Sequence, residues 1–388
     1  MFKRFMVPLL ARADIEIQGS RLSDVRAYDP VVRDERLYRR VALFGSLGLG
    51  EAYQDGWWDA DLDGLPEFFR RIMSSGADRA VRFNIASTLL GATARIVNMQ
   101  SALRAFMVGE QHYDLGNDLF DSMLDPTMNY SCAYWQEPVT GAPIETLEGA
   151  QRAKMKLCAL KLKLEPGMKV LEIGCGWGGL AEYLATEYGV EVVGLTVSKE
   201  QAAFARERCE GLPVQILMKD YRDLSARYGG YFDRIVSVGM FEHVGPKNYR
   251  TYMSIAHRVL KPNGLFLLHS IGGDGRQPEP WHHRYIFPNG VLPAADQIAR
   301  AFQDILILED WHNFGPFYAK TLAAWRKNFV EAWPRLSSRD PARYDRRFFR
   351  TWIYYLTSCE GAFLARRMNL WQIALRKAPA NGAYQAVR

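Results

Sequence analysis

The chain has 388 residues, of which 48% are hydrophobic and 13% aromatic, a composition that is typical of a globular protein and excludes a disordered one. Its formal net charge of +6 comes from 49 basic and 43 acidic residues, without the Lys/Arg blocks that mark a nucleic-acid-binding surface. Five cysteines without paired spacing argue against a disulfide framework and a zinc site, and the lack of a long apolar run predicts a cytoplasmic protein without a spanning helix.

The length exceeds one ordinary hydrophobic core, so we expect one large and one small domain. The predicted segments are an amino-terminal domain over 1–78, a basic helical linker over 79–109 and a larger domain over 110–388. In the linker, Arg82, Arg95 and Arg104 lie among apolar residues at helical spacing, without any Asp or Glu between Arg79 and Gly109. This pattern indicates either a helix that packs on a neighbouring domain or a helix that contacts an anionic bilayer surface.

Two features stand out in the amino-terminal domain. The small residues of Gly45-Ser-Leu-Gly-Leu-Gly50 predict a tight loop. Trp57 and Trp58 follow it, and either fill the core of the small domain or meet lipid.

Beyond residue 146 the chain alternates between apolar runs and helical patterns. Strands are predicted at 168–173, 190–195, 214–218, 231–238, 264–271, 305–310 and 369–375. Helices are predicted at 146–164, 198–209, 247–260, 294–302, 317–333 and 341–366. Continuous apolar strands separated by helices indicate an α/β fold, a Rossmann-like parallel sheet covered on both faces.

The first predicted strand runs into a glycine-rich turn. Gly174, Gly176 and Gly178 allow the backbone to turn tightly and to approach a ligand, since no Cβ is present. The spacing is Gly-x-Gly-x-Gly and not Gly-x-Gly-x-x-Gly, which favours a nucleoside without a pyrophosphate, such as S-adenosylmethionine. The alternative is a turn with a purely structural role.

Several polar side chains follow the later strands. Glu242 and His243 come after the fourth strand, His269 ends the fifth, and Tyr318 follows the sixth. Because parallel strands point their carboxyl ends to the same edge, we expect these groups beside the glycine-rich turn. Taken singly, Glu242 and His243 could cap a helix and His269 could be a hydrogen-bonded core residue.

The chain closely resembles the cyclopropane-fatty-acyl-phospholipid synthases, relatives of the mycolic acid cyclopropane synthases, nearly from end to end. The motifs that carry the resemblance are Gly45-Ser-Leu-Gly-Leu-Gly-Glu51, Asp55-Gly-Trp-Trp58, His112-Tyr-Asp-Leu-Gly-Asn-Asp118, Tyr130-Ser-Cys-Ala-Tyr-Trp135, Gly174-Cys-Gly-Trp-Gly-Gly179, Phe241-Glu-His-Val-Gly245 and Tyr285-Ile-Phe-Pro-Asn-Gly290. The resemblance implies an S-adenosylmethionine-dependent methyltransferase with a smaller α+β domain, associated with lipid or membrane, at the amino terminus.

The resemblance also implies roles for individual residues. The cofactor contacts would be Tyr130, Ser131, Val170, Gly174, Cys175, Gly176, Trp177, Gly178, Thr196, Ser198, Gln201, Tyr221 and Arg222. A bound bicarbonate, which serves as general base, would be held by Cys132, Glu242, His269, Ile271 and Tyr318. Cys359 matches a cysteine of the family's active residues, but its apolar helical surroundings favour core packing over nucleophilic catalysis.

The implied reaction transfers a methyl group from the sulfonium to the cis double bond of an acyl chain, which leaves a carbocation. Loss of a proton from the added methyl group then closes the cyclopropane ring. The expected partners are unsaturated acyl chains in an anionic phospholipid bilayer, which the protein would contact peripherally, and a second copy of the chain in a homodimer. Two alternatives are a fatty-acyl C-methyltransferase without ring closure and a non-catalytic lipid-binding protein.

Overall fold

The computed structural model describes residues 2–17, 26–80, 98, 100, 116–224, 226–273 and 278–388. The chain divides into two compact units. Unit 1 comprises Met1–Asn98, Gln277–Pro288 and Tyr318–Met368, and unit 2 comprises Met99–Arg276, Asn289–Phe317 and Asn369–Arg388. Each compact unit thus combines segments from different parts of the chain. The domains predicted at 1–78, 79–109 and 110–388 are continuous segments, and they stay a prediction. Arg82, Arg95 and Arg104 of the predicted linker lie outside the described residues.

Unit 2 is built on a seven-stranded sheet. Its strands are β3 (Lys169–Ile173), β4 (Glu191–Thr196), β5 (Val214–Met218), β6 (Phe232–Val238), β7 (Leu260–Gly273), β8 (Ile307–Asn313) and β9 (Met368–Arg376). Their order across the sheet is β5-β4-β3-β6-β7-β9-β8. Strands β3 to β7 pair in parallel, but β8 pairs with β9 antiparallel. The α/β fold is confirmed, and the expectation of parallel pairing throughout was wrong at these last two strands.

The helices of unit 2 cover the sheet. They are α5 (Asn117–Met123), α6 (Leu147–Leu162), α7 (Gly179–Tyr188), α8 (Lys199–Arg208), α9 (Tyr249–Val259) and α11 (Ala295–Phe302). Thr146 and Ser198 cap the amino termini of α6 and α8, because each side-chain oxygen accepts a hydrogen bond from a backbone N–H of the first turn. Buried apolar side chains of the strands and helices form one cluster on each face of the sheet.

Unit 1 is mainly helical. It contains α1 (Phe2–Arg12), α2 (Arg36–Gln54), α3 (Leu65–Ser75), α4 (Ala77–Ala80), α10 (Pro280–Tyr285), most of α12 (Pro316–Arg339), α13 (Arg346–Leu364) and the antiparallel strands β1 (Val31–Val32) and β2 (Trp58–Asp59). Trp58 is fully buried among Tyr53 and Phe68, so it is a core residue. No helix in the described part of the chain is both long enough and apolar enough to cross a bilayer.

The glycine-rich segment that begins at Gly45 is helical, so the predicted tight loop was wrong. Gly45 alone has non-helical angles, with φ 56° and ψ −129°, and it kinks α2. A Cβ at Gly48 would lie 2.4 Å from the carbonyl oxygen of Arg40, and a Cβ at Gly50 would lie 2.3 Å from the ring of Trp281. These two glycines therefore serve close packing and not a turn, a difference that the composition of the segment does not reveal.

Candidate active site

A pocket opens at the carboxyl edge of the unit 2 sheet, as expected for an open α/β sheet. Four of its walls are strand ends or the residues directly after them: Ile173–Trp177 at β3, Leu195–Val197 at β4, Lys219–Arg222 after β5 and Val238–Met240 at β6. The loop 128–131 forms a further wall. Strands β3 and β4 are mostly buried. The residues at the mouth of the pocket are therefore held in place by a rigid sheet.

Most of the predicted cofactor residues line this pocket. They are Tyr130, Ser131, Gly174, Cys175, Gly176, Trp177, Thr196, Gln201, Tyr221 and Arg222. The other three have structural roles: Val170 is a core residue of β3, Gly178 precedes α7 in a left-handed conformation, and Ser198 caps α8. The sequence thus predicted the position of the pocket, and contact of these residues with a cofactor stays a prediction.

The glycine-rich turn brings backbone to the pocket wall. Gly174 and Gly176 have φ angles of 89° and 52°, which favour glycine. A Cβ at Gly174 would lie 2.9 Å from the side chain of Met240, whereas a Cβ at Gly176 would meet no atom within 4 Å. Trp177 anchors the turn, because its Nε1 donates a hydrogen bond of 2.9 Å to Asn117 Oδ1.

Two acidic side chains of the pocket differ in their charge. Glu172 is buried near the end of β3, and burial raises its pKa to about 8, partly offset by Lys154. Asp220 is also buried but forms an ion pair with Arg222, with 2.7 Å between Oδ1 and Nε. Asp220 is a pocket residue without a predicted role. Its position two residues after β5, at the carboxyl edge, was the signal that could have found it.

Glu242, His269 and Ile271 lie next to this pocket. Glu242 sits in the short 3₁₀ turn Phe241–His243, between pocket residues Met240 and His243. The Ile271 N–H donates a hydrogen bond of 2.6 Å to Glu242 Oε1, and burial raises the pKa of Glu242 to about 7. Its other oxygen, Oε2, is buried without a partner among the described residues. This turn therefore presents a buried, titratable carboxyl group, whose raised pKa is only partly offset by hydrogen bonds from backbone N–H groups and from Ser270.

His269 presents a second unsatisfied atom. It lies on the same face of β7 as Ile271 because side chains alternate along a strand. Gln372 Nε2 is 3.2 Å from His269 Nδ1. With this orientation of the Gln372 amide, Nδ1 is the acceptor and the ring proton is on Nε2, which is buried without a partner in the described chain. Burial, together with Lys154 and Lys161, holds the pKa of His269 well below its usual value, so the ring is a neutral donor.

The other residues predicted to hold the anion are in different surroundings. Cys132 is fully buried in unit 2, directly after the pocket loop 128–131. Tyr318 belongs to unit 1, where its ring stacks on Phe363 at a centroid distance of 4.5 Å. Sequence order alone placed Tyr318 at the sheet edge, and that placement stays a prediction.

Cys359 has a basic partner that its local sequence does not show. Its Sγ lies 3.4 Å from Nε2 of His282 in unit 1, and Nδ1 of that ring lies 2.6 Å from Glu279 Oε2. Burial acts to lower the pKa of His282, but Cys359 and Glu279 raise it to about 10. Cys359 is thus part of a thiol–imidazole–carboxylate row. The expectation of simple core packing omitted this partner because His282 is far away in sequence.

Known proteins with similar sequences or structures agree with this architecture. The family described as mycolic acid cyclopropane synthetase matches residues 100–373. The chain belongs to this family. The cyclopropane-fatty-acyl-phospholipid synthase of Escherichia coli (strain K12) is 50% identical over 376 residues, which are 96% of this chain and 93% of the relative.

Two further relatives extend the comparison. A probable fatty acid methyltransferase of Pseudomonas putida is 38% identical over 283 residues, 70% of this chain and 69% of the relative. The structure of the mycolic acid cyclopropane synthase CmaA1, complexed with SAH and CTAB, has a TM-score of 0.62 and 31% identity, and covers 70% of this chain and 98% of that one. The predicted family, fold and enzyme class are confirmed: the chain is an enzyme of the S-adenosylmethionine-dependent methyltransferase class.

Proposed function

We propose that the protein transfers a methylene group from S-adenosylmethionine to the cis double bond of an unsaturated acyl chain in a membrane phospholipid, which gives a cyclopropane fatty acyl phospholipid. The observation that carries this proposal is a pocket at the carboxyl edge of the sheet, next to two unsatisfied buried atoms, Glu242 Oε2 and His269 Nε2; we place the methyl donor in this pocket. A methyltransferase that only moves a methyl group to a nucleophile needs the first feature. Ring closure also needs a base, and the two unsatisfied atoms support a binding site for such a base beside the pocket.

The residues of the pocket fit an adenosyl cofactor. Gly176 leaves the wall open to a nucleoside at close range. Tyr130 and Trp177 add aromatic surface, and Arg222 neutralises the charge of Asp220. The lining offers polar atoms from several of the walls, and burial favours the neutral form of Glu172, which reduces the desolvation cost of the pocket. The cofactor would supply an electrophilic methyl group on a sulfonium.

The atoms beside the pocket fit bicarbonate. His269 Nε2–H can donate to an anion, and the neutral ring keeps this proton at the pH of the cell. Glu242 Oε2, when ionised, can accept the hydroxyl proton of the same anion. Bicarbonate would supply a base that removes a proton from the added methyl group. Cys132 and Ile271 complete the proposed set in unit 2, although the Ile271 N–H is already bound to Glu242. The role of Tyr318, which belongs to unit 1, stays a prediction from the resemblance.

Aromatic rings near His269 can stabilise the cation that forms in the reaction. Phe314 lies 5.9 Å from His269 and 5.2 Å from Tyr134, measured between ring centroids. Both contacts are edge-to-face, and both rings are buried. An aromatic face stabilises a cation by about 0.5–2 kcal/mol. Phe314 and Tyr134 therefore favour a carbocation intermediate in this part of unit 2.

We further propose that the amino-terminal domain docks on the inner membrane surface, and that the chain forms a homodimer. Helix α1 supports the docking proposal. It exposes Phe2, Phe5 and Val7, with exposed fractions of 37%, 49% and 42%, and it also carries Lys3, Arg4 and Arg12. Exposed aromatic residues beside basic ones suit an anionic bilayer. Replacing Phe2 and Phe5 by serine should weaken sedimentation with anionic vesicles, and unchanged sedimentation would refute the role of α1.

A second candidate is a fatty-acyl methyltransferase without ring closure, which the Pseudomonas putida relative favours by its name. A non-catalytic lipid-binding protein is the third. Mass spectrometry together with proton NMR of lipids from cells that express the protein separates them. Ring formation adds one CH₂ to the acyl chain and removes the alkene signal, whereas methylation adds the same mass and keeps the alkene. Lipids of unchanged mass would refute both catalytic proposals.

A further inference from the structure

Helix α6 carries a buried polar row. Gln151, Lys154, Cys158 and Lys161 are spaced three or four residues apart, so they lie on one face. All four side chains are almost completely buried. Burying a lysine is costly unless its ammonium group is paired or hydrogen-bonded, and burial lowers the pKa of Lys154. Such a costly group in the middle of a helix requires a specific partner.

Two members of this row hold the pocket loop. Lys154 Nζ donates hydrogen bonds to Asn129 Oδ1 and, at 3.1 Å, to Ser131 Oγ. One helical turn earlier, Gln151 Nε2 donates to the backbone carbonyl oxygens of Asn129 and Ser131, at 3.1 Å and 2.9 Å. These bonds clamp the residues on both sides of Tyr130. Together Gln151 and Lys154 form what we call the loop clamp.

The clamped loop connects the two parts of the proposed site. Asn129, Tyr130 and Ser131 line the cofactor pocket. Cys132, the next residue, is one of the residues proposed to hold the anion. A shift of this loop would therefore change the shape of the pocket and the position of Cys132 at the same time.

The positive charge of Lys154 also acts on residues of the proposed anion site. Lys154 interacts electrostatically with Glu172 and Cys132, and it helps, as Lys161 does, to keep His269 neutral. A buried cation favours an anion nearby because the interior screens charges weakly. Lys161 is the other buried lysine of the row, but its Nζ lies 3.0 Å from His312 Nδ1 and 3.7 Å from Asp310 Oδ2. The described partners of Lys161 thus lie on β8.

We propose that Lys154 is a positioning residue for the reaction: with Gln151 it fixes the loop 129–132 against the cofactor pocket, and its charge stabilises the anion that acts as base. The charge part of this inference rests on the proposed function, whereas the positioning part rests on the pocket alone. The positioning part and the charge part predict different effects for substitutions of Gln151 and Lys154. Both residues position the loop, but only Lys154 supplies charge.

The test compares Lys154→Met and Gln151→Met with two controls. Lys161→Met removes a buried lysine of the same helix, and Lys156→Met removes a surface lysine that pairs with Glu137. We would measure the dissociation constant of S-adenosylhomocysteine by calorimetry, the free energy of unfolding, and the KM of added bicarbonate in degassed buffer. Hydrogen bonds from a charged donor are worth about tenfold or more in affinity.

We expect both clamp variants to weaken S-adenosylhomocysteine binding about tenfold. Lys154→Met should also raise the KM of bicarbonate, and Gln151→Met should not. Both controls should keep wild-type affinity, even where Lys161→Met loses stability. Wild-type affinity in both clamp variants would overturn the positioning role, and an unchanged KM in Lys154→Met would overturn the charge role.

If Lys154→Met does not fold, the affinity of Gln151→Met decides the positioning role. Lys154→Arg, which keeps the charge, must then retain the wild-type KM of bicarbonate. A wild-type enzyme that does not need bicarbonate would refute the proposed base, while the affinity result would still report on the clamp.

Discussion

Glu242→Gln separates the proposed base chemistry from cofactor binding. The substitution keeps an acceptor for the Ile271 N–H but replaces the unsatisfied Oε2 by an NH₂ group that cannot accept the proton of bicarbonate. A hydrogen bond to a charged group contributes about 1.5–3 kcal/mol, so we expect turnover to fall by about 10- to 100-fold. Glu242 does not line the cofactor pocket among its described walls, so the affinity for S-adenosylhomocysteine should stay unchanged.

The same substitution has a calculable effect on stability. Burial raises the pKa of Glu242 from 4.5 to about 7, a difference that corresponds to about 3 kcal/mol. A raised pKa in the folded state stabilises the protein below the unfolded-state value, and this contribution is lost as the pH rises through about 7. Glutamine does not titrate. The variant should therefore gain about 3 kcal/mol over the wild type between about pH 4.5 and about pH 7.5.

Urea unfolding across this pH range measures the gain, and steady-state kinetics with calorimetry measure turnover and affinity. Activity of the wild type should rise with pH through about 7 as Glu242 ionises, and this rise should vanish in the variant. Glu360→Gln is the matched control, since Glu360 is a buried carboxyl group of unit 1 with a pKa raised to about 7 by burial. Equal losses of affinity and turnover in Glu242→Gln, or stability curves that run parallel to the wild type, would refute the reasoning.

Three further substitutions test separate contacts. Gly174→Ala forces a left-handed residue and a side-chain clash, which should cost about 1–3 kcal/mol in urea unfolding and weaken S-adenosylhomocysteine binding; a neutral result would contradict the close-approach role. Gln372→Leu removes the donor that fixes the proton of His269, so turnover should fall by about 2- to 10-fold, with unchanged cofactor affinity in calorimetry. Cys359→Ala removes one of the two groups that raise the pKa of His282, so NMR titration should show a lower value; a pKa that stays near 10 would count against the thiol contact.

The sheet was predictable because its signal is local. Apolar runs such as 214–218 stand between turn residues, and the observed β5 (Val214–Met218) has the same bounds. The glycine-rich turn after β3 was recognisable for a similar reason, since Gly174 and Gly176 need positive φ angles that glycine adopts easily. In the segment 45–50 the same residue type packs a helix, so composition alone gave the wrong element.

The remaining parts of the site depend on contacts between distant residues. His282 meets Cys359 across 77 positions, and Gln372 meets His269 across 103; neither pair has a local pattern. Lys154 was hidden for another reason. On a helix a lysine is usually exposed, and only the structure shows that this one is buried against the loop 129–131. Contacts between residues that are distant in sequence determine the burial and the partners of these side chains. No local spacing in a single sequence shows such contacts.

Transfer from a deuterated methyl donor tests the central claim most directly. The purified protein would be incubated with vesicles of a cis-unsaturated phospholipid and S-adenosylmethionine that carries a trideuterated methyl group, and the product acyl chain analysed by mass spectrometry and proton NMR. Ring closure removes one atom from the transferred group, so the account predicts a cyclopropane that retains two deuterium atoms. A product that keeps all three together with its double bond would contradict methylene transfer.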